Sequence, residues 1–330
     1  MESINEPVAF PSDTKPQLIV VIDTEEEFDW SAGPDRSATG VTAMDKISLV
    51  QDVFDQYGIV PCYVIDYPVA TKKQGYEVLR SIYNDGRCEI GAHLHPWVNP
   101  PFEEELSNRN SFPGNLDPDK EEAKLKVLTD AIHETFGFNP VVYKAGRYGF
   151  GPNTKAILKK LGYEIDVSYC PPVDYAYIEG PDYSDCHAEP FWHDNEKELL
   201  EIPITGSFVG WAGALSKPLF NLSQAMRALK VPGIFSRISL VDRLMLSPEG
   251  FDTKEHIKLT NFLYQRGVRT FTWSFHSPTV VPGFTPYVNN DQQLTEFLDS
   301  FKRYFDYFFG QLGGEATTPT KLKTKVRLNQ

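Results

Sequence analysis

The 330-residue chain lacks several features that would place it in common protein classes. It has no run of about 18 apolar residues, so we expect no membrane span. The N-terminal residues 1–7 are acidic and have no apolar core segment, which is unlike a signal peptide. Only four cysteines are present, without a CxxC pair or the spacing of a zinc ribbon. We therefore expect a cytoplasmic protein with buried, reduced thiols.

Basic residues are also fewer than acidic residues. The chain has 32 Lys and Arg against 45 Asp and Glu, which gives a formal net charge of −13. This balance argues against nucleic acid or an anionic membrane surface as the main partner. Apolar residues make up 41% of the chain, enough for a large core. The length fits a single (β/α) barrel with an insertion, because such barrels commonly reach about 250 residues or more.

The most informative stretch is an apolar run that ends abruptly in acidic residues. Residues 17–22 (QLIVVI) are followed by Asp23, Thr24 and Glu25. A short apolar run of this kind predicts a strand that is buried on both faces of a parallel sheet. Because Asp23 and Glu25 are two positions apart, both carboxylates would point to the same side of an extended segment. The pair suits a metal ligand beside a general base, and equally an acidic junction that faces water.

Strand-like and helix-like segments alternate along the rest of the chain. Strands are predicted at 17–23, 59–65, 88–95, 141–146, 163–166, 198–203 and 268–275, and helices at 43–57, 68–84, 119–136, 151–161, 254–266 and 291–309. The alternation predicts an α/β fold with a parallel sheet and right-handed crossovers. We divide the chain into a loose lead-in (1–16), a single barrel domain (17–310) with an irregular insertion at about 205–250, and a disordered basic tail (311–330).

Side chains of catalytic type recur where these predicted strands end. The positions are Asp23, His93 or His95, Arg147, Asp166 and His276. The carboxyl ends of barrel strands share one rim, which is where barrel enzymes keep their chemistry. A single polar residue at a strand end means little, but the recurrence favours an active site.

The histidines suggest a metal and a proton donor. His93 and His95 are two positions apart, so both imidazoles can face the same side of a strand. Two histidine nitrogens and one carboxylate oxygen form a catalytic zinc set that leaves a coordination position for water. His276 could protonate a leaving amine, or be a buried histidine that bonds to Ser274. Each of these histidines alone could be structural.

Two further charged residues could position the reacting groups. Arg147 could hold a carboxylate such as Asp23 through a bidentate pair. Asp166 could hold an imidazole in the same way. The loop at 96–118 is longer than ordinary connections and is a candidate functional segment.

At these residues the sequence resembles the polysaccharide deacetylase (NodB-homology) superfamily, most closely its WalW-type branch. The likeness lies in five segments that follow the family's order, namely 22–25 (IDTE), 91–97 (GAHLHPW), 146–149 (GRYG), 166–168 (DVS) and 274–278 (SFHSP). The resemblance implies a distorted (β/α)7 barrel and a divalent metal, often zinc. It also implies hydrolysis of N-acetyl or O-acetyl groups on sugars.

The resemblance implies roles for the motif residues. Asp23 matches the general base, Glu25 the metal-binding carboxylate and His93 the first metal histidine. Arg147 matches the arginine that orients the base. Asp166 matches the aspartate that tunes the acid, and the acid itself matches His276 at the end of the chain.

Two positions depart from the family pattern. The family usually has adjacent aspartates, where this chain has Asp23 and Glu25 separated by a threonine. Its second metal histidine usually lies four residues after the first, a position that Trp97 occupies here. We expect His95 to be the substitute ligand, with Asn99 as the weaker candidate.

Together these observations predict a metal-dependent carbohydrate deacetylase that acts on an acetylated saccharide or saccharide precursor, with metal-bound water as nucleophile. Glu25, His93 and His95 would hold the metal, expected to be Zn²⁺. Two alternatives stay open. One is a metal-independent glycoside hydrolase that uses Asp23 and one of the carboxylates at 25–27. The other is a catalytically silent glycan-binding relative.

Overall fold

The computed structural model describes residues 7–328 apart from 227–229, 232–234 and 236–239. The described strands are β1 (Gln17–Thr24), β2 (Cys62–Ile65), β3 (Glu89–Leu94), β4 (Val142–Ala145), β5 (Ile165–Asp166), β6 (Phe191–Trp192), β7 (Leu200–Glu201), β8 (Gly206–Val209), β9 (Asp242–Met245), β10 (Thr270–His276) and β11 (Glu315–Ala316). The described α-helices are α1 (Ser48–Gln56), α2 (Tyr67–Thr71), α3 (Lys73–Asn84), α4 (Pro118–Phe136), α5 (Thr154–Lys160), α6 (Ser216–Ala225), α7 (Thr253–Tyr264), α8 (Asp291–Phe305) and α9 (Pro319–Leu328).

The centre of the molecule is a curled parallel sheet in the order β10-β1-β2-β3-β4-β5-β7. The short β6 pairs antiparallel with β7 at one edge. Every residue of β1 is buried, as expected for a strand with helices on one side and the barrel interior on the other. The α/β barrel architecture predicted from the alternation of strands and helices is therefore confirmed.

Alternation along the strands divides the core into an outer and an inner layer. Leu18, Val20 and Ile22 pack outwards against the helices, whereas Ile19 and Val21 pack inwards with residues of β2, β4 and β5. Successive side chains of a strand point to opposite faces, so Asp23 has the same orientation as Val21. The end of β1 thus presents a carboxylate to the barrel interior.

The region at 205–250, predicted to be irregular with short helical pieces, contains a strand pair that the prediction missed. β8 and β9 form a separate antiparallel sheet. Backbone N–H groups of Thr205 and Ser274 donate to Thr272 O (3.3 Å) and Leu246 O (3.2 Å), respectively, and these bonds connect the region to β10. The insertion therefore covers an edge strand that would otherwise leave backbone groups unpaired.

The prediction of a disordered tail at 311–330 is wrong for the part that the structure describes. β11 pairs with β1, and α9 buries Leu322 and Val326 in the inner core. Lys323 Nζ donates to Glu164 Oε2 at 2.7 Å, next to the start of β5. The helix thus packs at the amino ends of the strands. Two buried apolar side chains and an ion pair hold this helix in place, although the segment has few apolar residues.

The remaining connections run over the surface. In the lead-in, residues 1–6 lie outside the described part of the chain, while the N–H of Val8 donates to Pro190 O at 2.7 Å. The long loop contains two 3₁₀ turns, Arg109–Ser111 and Pro113–Asn115. Among the described helices, none combines the length and the apolar character needed to cross a bilayer.

Candidate active site and metal centre

A cavity of ≈ 420 Å³ lies at the carboxyl ends of the parallel strands. This volume is typical of a small-molecule site. Eight of its lining side chains are aromatic, and its charged and imidazole side chains are Asp23, Glu25, Asp29, His93, His95, Arg147, Glu249 and His276. Six of the seven residues predicted to form the site therefore line one cavity, and Asp166 is the exception.

Glu25, His93 and His95 form a compact group of buried donors. Glu25 Oε2 lies 3.4 Å from His93 Nε2 and 3.5 Å from His95 Nε2, and each of the three residues is at most 3% exposed. His93 Nδ1 donates to Lys144 O (3.1 Å), and His95 Nδ1 contacts Glu26 Oε2 at 2.8 Å. These outer hydrogen bonds orient both rings with Nε2 towards Glu25, an arrangement typical of metal-ligating histidines.

The donor group fits a divalent metal. Glu25 Oε1 and His93 Nε2 are buried and have no hydrogen-bond partner among the described residues. Unpartnered buried polar atoms are costly, so their convergence calls for a ligand. Burial lowers the pKa of His95 to about 4 and the pKa of His93 well below its usual value, so both rings are neutral. Neutral imidazoles and a carboxylate are the donors that zinc and similar ions take.

The electrostatics of Glu25 support the same interpretation. Burial, followed by the neighbouring carboxylates of Glu26 and Asp23, raises the pKa of Glu25 well above its usual value. A cation among these carboxylates favours the ionised form instead. A metal at this position would therefore relieve the repulsion that the fold creates.

Asp23 is held by Lys144. Lys144 Nζ lies 2.5 and 2.7 Å from the two carboxylate oxygens of Asp23, and both side chains are buried. Burial alone would raise the pKa of Asp23, but the charge of Lys144 outweighs burial and keeps this pKa below its usual value. Asp23 is thus ionised and able to accept a proton.

The prediction that Arg147 orients Asp23 is wrong. Arg147 follows β4 in a turn, where its Nη1 donates to Asn108 Oδ1 at 2.8 Å and to the hydroxyl of Ser111. Lys144 lies within β4 in register with His93, and so faces the interior. A lysine inside a buried strand is itself unusual, and this was the signal in the sequence that could have identified it.

His276 is paired with Glu249, which the sequence reasoning missed. His276 Nδ1 lies 2.6 Å from Glu249 Oε2, and the backbone N–H of His276 donates to Oε1 at 3.1 Å. His276 Nε2 lies 3.6 Å from Asp23 Oδ2. Burial lowers the pKa of His276, but the charge and hydrogen bond of Glu249, together with Asp23, raise it above its usual value overall. The ring is therefore suited to donating a proton.

Asp166 was predicted to tune His276, and the structure contradicts this. Asp166 pairs in register with Tyr143, whose neighbour Lys144 faces the interior, so Asp166 faces outwards. Its Oδ1 accepts from Ser168 Oγ at 2.5 Å. Glu249 lies between β9 and α7, in a turn-like Pro-Glu-Gly segment where nothing in the sequence pattern indicates a buried role.

Asp166 instead belongs to a second buried group. His193 Nε2 lies 3.1 Å from Glu201 Oε2 and 3.8 Å from Asp166 Oδ2. The ring of His193 stacks on Phe150 with centroids 4.9 Å apart. None of these four side chains lines the cavity.

The two candidates for the second metal ligand, His95 and Asn99, lie in different surroundings. His95 lies against Glu25, whereas Asn99 Nδ2 donates to the backbone oxygens of Lys124 (2.9 Å) and Pro100 (2.7 Å). Trp97, at the position of the family's usual ligand, stacks on the His95 ring with centroids 4.2 Å apart.

Comparison with known proteins identifies the fold. No protein-family model matches the chain, and no curated protein does. The solved structure of Puue allantoinase matches with a TM-score of 0.57 at 15% identity, covering 99% of this chain and 95% of that one. A protein from Mycobacterium smegmatis assigned as a polysaccharide deacetylase matches with 0.55 at 14% identity, covering 98% and 94%. A protein from Pseudomonas aeruginosa PAO1 with the same assignment matches with 0.55 at 15% identity, covering 98% and 95%. The fold is therefore the polysaccharide deacetylase type of (β/α) barrel.

Proposed function

We propose that the chain is a metal-dependent hydrolase of the WalW-type polysaccharide deacetylase branch, which removes an N-acetyl or O-acetyl group from a saccharide or saccharide precursor. One observation carries the proposal. A metal-type donor set, an ionised carboxylate and an imidazole with a raised pKa line the same cavity. Two solved structures of the same fold are assigned as polysaccharide deacetylases, which supports this choice of reaction.

Glu25, His93 and His95 would hold the metal. Their donor atoms lie within 4.8 Å of one another, and the donor types suit Zn²⁺. When bound, a divalent metal polarises a carbonyl and lowers the pKa of water.

Asp23 and His276 would divide the proton transfers. Asp23 accepts a proton from the attacking water, whose oxygen bonds to the acyl carbon, and Lys144 keeps the carboxylate ionised for this step. When the carbon–nitrogen bond breaks, its electron pair goes to nitrogen, which takes a proton from His276 Nε2. Glu249 holds the opposite ring nitrogen. The neighbours of Asp23 lower its pKa and those of His276 raise its pKa, so one group is suited to act as base and the other as acid.

The glycoside hydrolase alternative has less support. It requires a second free carboxylate in the cavity beside Asp23. Glu26 contacts His95, and Glu27 accepts from Ala43 N at 2.6 Å; neither residue lines the cavity. Glu25 does line it, but lies between two imidazoles.

Metal analysis combined with an acetate-release screen tests the proposal. We expect near-stoichiometric divalent metal in the purified protein, lost in Glu25→Ala and His93→Ala and retained in the exposed control His133→Ala. We also expect acetate from acetylated saccharides, and none from the ligand variants.

Three other outcomes would contradict the proposed function. A metal-free protein that takes up no added zinc contradicts the mechanism. A loaded protein that binds sugars without releasing acetate is the silent relative. The screen includes allantoin because an allantoinase shares the fold, and its hydrolysis in place of the sugars would replace the proposed substrate class.

A further inference from the structure

Arg147 is a partly buried cation in the cavity wall. Its Nη1 donates to the neutral oxygens of Asn108 and Ser111, and its guanidinium lies 4.3 Å from the centroid of the Phe112 ring. Among the described residues, no carboxylate lies within ion-pair distance of this group. Neutral acceptors and an aromatic face orient the guanidinium, but they leave its charge uncompensated, although charges shielded from water are normally paired.

The unbonded N–H groups of the Arg147 guanidinium are arranged to bind a ligand. Nε and Nη2 make no hydrogen bond to any residue that the structure describes. These two groups form one edge of a planar fork, which matches the two oxygens of a carboxylate. Because Nη1 is already engaged, this edge is the one that remains for a ligand.

The backbone at this position is strained. Arg147 and Tyr148 have φ values of 55° and 59°, in the left-handed region that residues with a Cβ rarely adopt. The turn is enforced by close packing, since a Cβ on Gly146 would come within 2.4 Å of Leu94 O. Tyr183 Oη also donates to Tyr148 O at 2.6 Å. Strain that the surroundings hold in place is typical of ligand sites.

The other buried charges of the cavity are already matched. Asp23 is paired with Lys144, and Glu249 with His276. Glu25 belongs to the metal donor group. Arg147 is therefore a positive charge that the catalytic groups do not use.

We propose that Arg147 binds a carboxylate of the substrate, so that the preferred substrate is an acidic N-acylated saccharide. This inference rests on the proposed hydrolase function. It assigns Arg147 to substrate selection, with the carboxylate bound by Nε and Nη2 and the acyl group directed to the end of the cavity with Glu25 and His276.

Calorimetric binding of matched sugars tests the inference. The pairs are N-acetylmuramic acid against N-acetylglucosamine, and N-acetylglucosaminuronic acid against N-acetylglucosamine, with N-acetylglucosamine 6-phosphate as a second kind of anion. We expect the carboxylates to bind about 10–100-fold more tightly than the neutral sugar, as a charged hydrogen-bonded pair allows. Arg147→Met should abolish the preference and leave neutral-sugar binding within about twofold.

Two controls separate recognition from folding. Arg147→Lys keeps the charge without the fork and should lose most of the preference. Arg80→Met removes an exposed arginine on α3 and should change nothing. Unfolding curves of the variants should match that of the wild type.

The contrary outcomes are distinct. Equal affinity in both pairs, undetectable binding included, overturns the inference, as does a preference that survives Arg147→Met or a preference for phosphate alone. Calorimetry needs no turnover, so a carboxylate preference without acetate release rejects the proposed function and keeps the role of Arg147. Acetate release from neutral sugars, without any preference for carboxylates, supports the proposed function and rejects the role of Arg147.

Discussion

Replacing Glu249 with glutamine separates two effects of this residue on the His276 ring, namely its negative charge and its hydrogen bond to the ring. The amide keeps an acceptor near Nδ1, where the carboxylate oxygen lies at 2.6 Å, but removes the negative charge. A hydrogen bond to a charged group contributes about 1.5–3 kcal/mol. If the carboxylate stabilises the protonated His276 ring by this amount, its removal changes the protonation constant of the ring about ten- to a hundredfold. Because Glu249 raises the pKa of His276, the substitution should lower that pKa. A smaller fraction of the His276 rings is then protonated at a given pH.

The pH–rate profile of acetate release from the amide substrate is the assay. The alkaline limb of the Glu249→Gln variant should move to lower pH, with rates near those of the wild type at the acid end. His276→Ala should lose this limb and slow turnover by about 10²–10⁴-fold. With 4-nitrophenyl acetate, whose leaving group needs no proton, the two substitutions should have little effect.

Two measurements complete this test. An NMR titration of the His276 ring should show the lowered pKa directly, without dependence on turnover. Glu77→Gln, an exposed carboxylate on α3, is the matched control. Alkaline limbs that superimpose for the wild type and the Glu249→Gln variant would refute the assignment of Glu249 as the residue that positions and charges the acid.

Two further predictions concern stability, both measured by urea unfolding at neutral pH. Lys144→Met leaves the buried Asp23 carboxylate unpaired and should cost about 3–5 kcal/mol, part of which Asp23→Asn should restore in the double variant; a loss below about 1 kcal/mol would show that the pair is not essential. Leu322→Ala, at a fully buried position of α9, should cost about 2–5 kcal/mol, whereas Leu328→Ala, 81% exposed on the same helix, should cost less than about 0.5 kcal/mol. Equal effects of the two leucine substitutions would mean that α9 is not packed in solution.

The fold and most of the candidate site could be predicted from local patterns. The apolar run before Asp23 indicated a buried strand, and the two-residue spacing of His93 and His95 placed both rings on one face. The carboxyl ends of parallel strands meet at one rim, so polar residues at those ends converge regardless of their separation in sequence. For this reason six of the predicted residues line the same cavity.

The pairing of these residues could not be predicted in the same way. Lys144 and Asp23 are 121 positions apart, and Glu249 is 27 positions from His276. Which cation reaches a carboxylate depends on strand register and on the face to which each side chain points. Arg147, although cationic, lies beyond the end of β4, and the cation that pairs with Asp23 is Lys144.

The amino-acid sequence alone determines the seven strands of the central parallel sheet and the polar residues at their carboxyl ends, because these follow from the local pattern of apolar residues. The tertiary structure alone decides that Glu249 bonds to the His276 ring, that Asp166 faces away from the cavity and that α9 packs against the barrel. The physical reason is that burial and charge pairing are properties of neighbours in space. A turn between β9 and α7 becomes part of the site only when the chain brings it against His276.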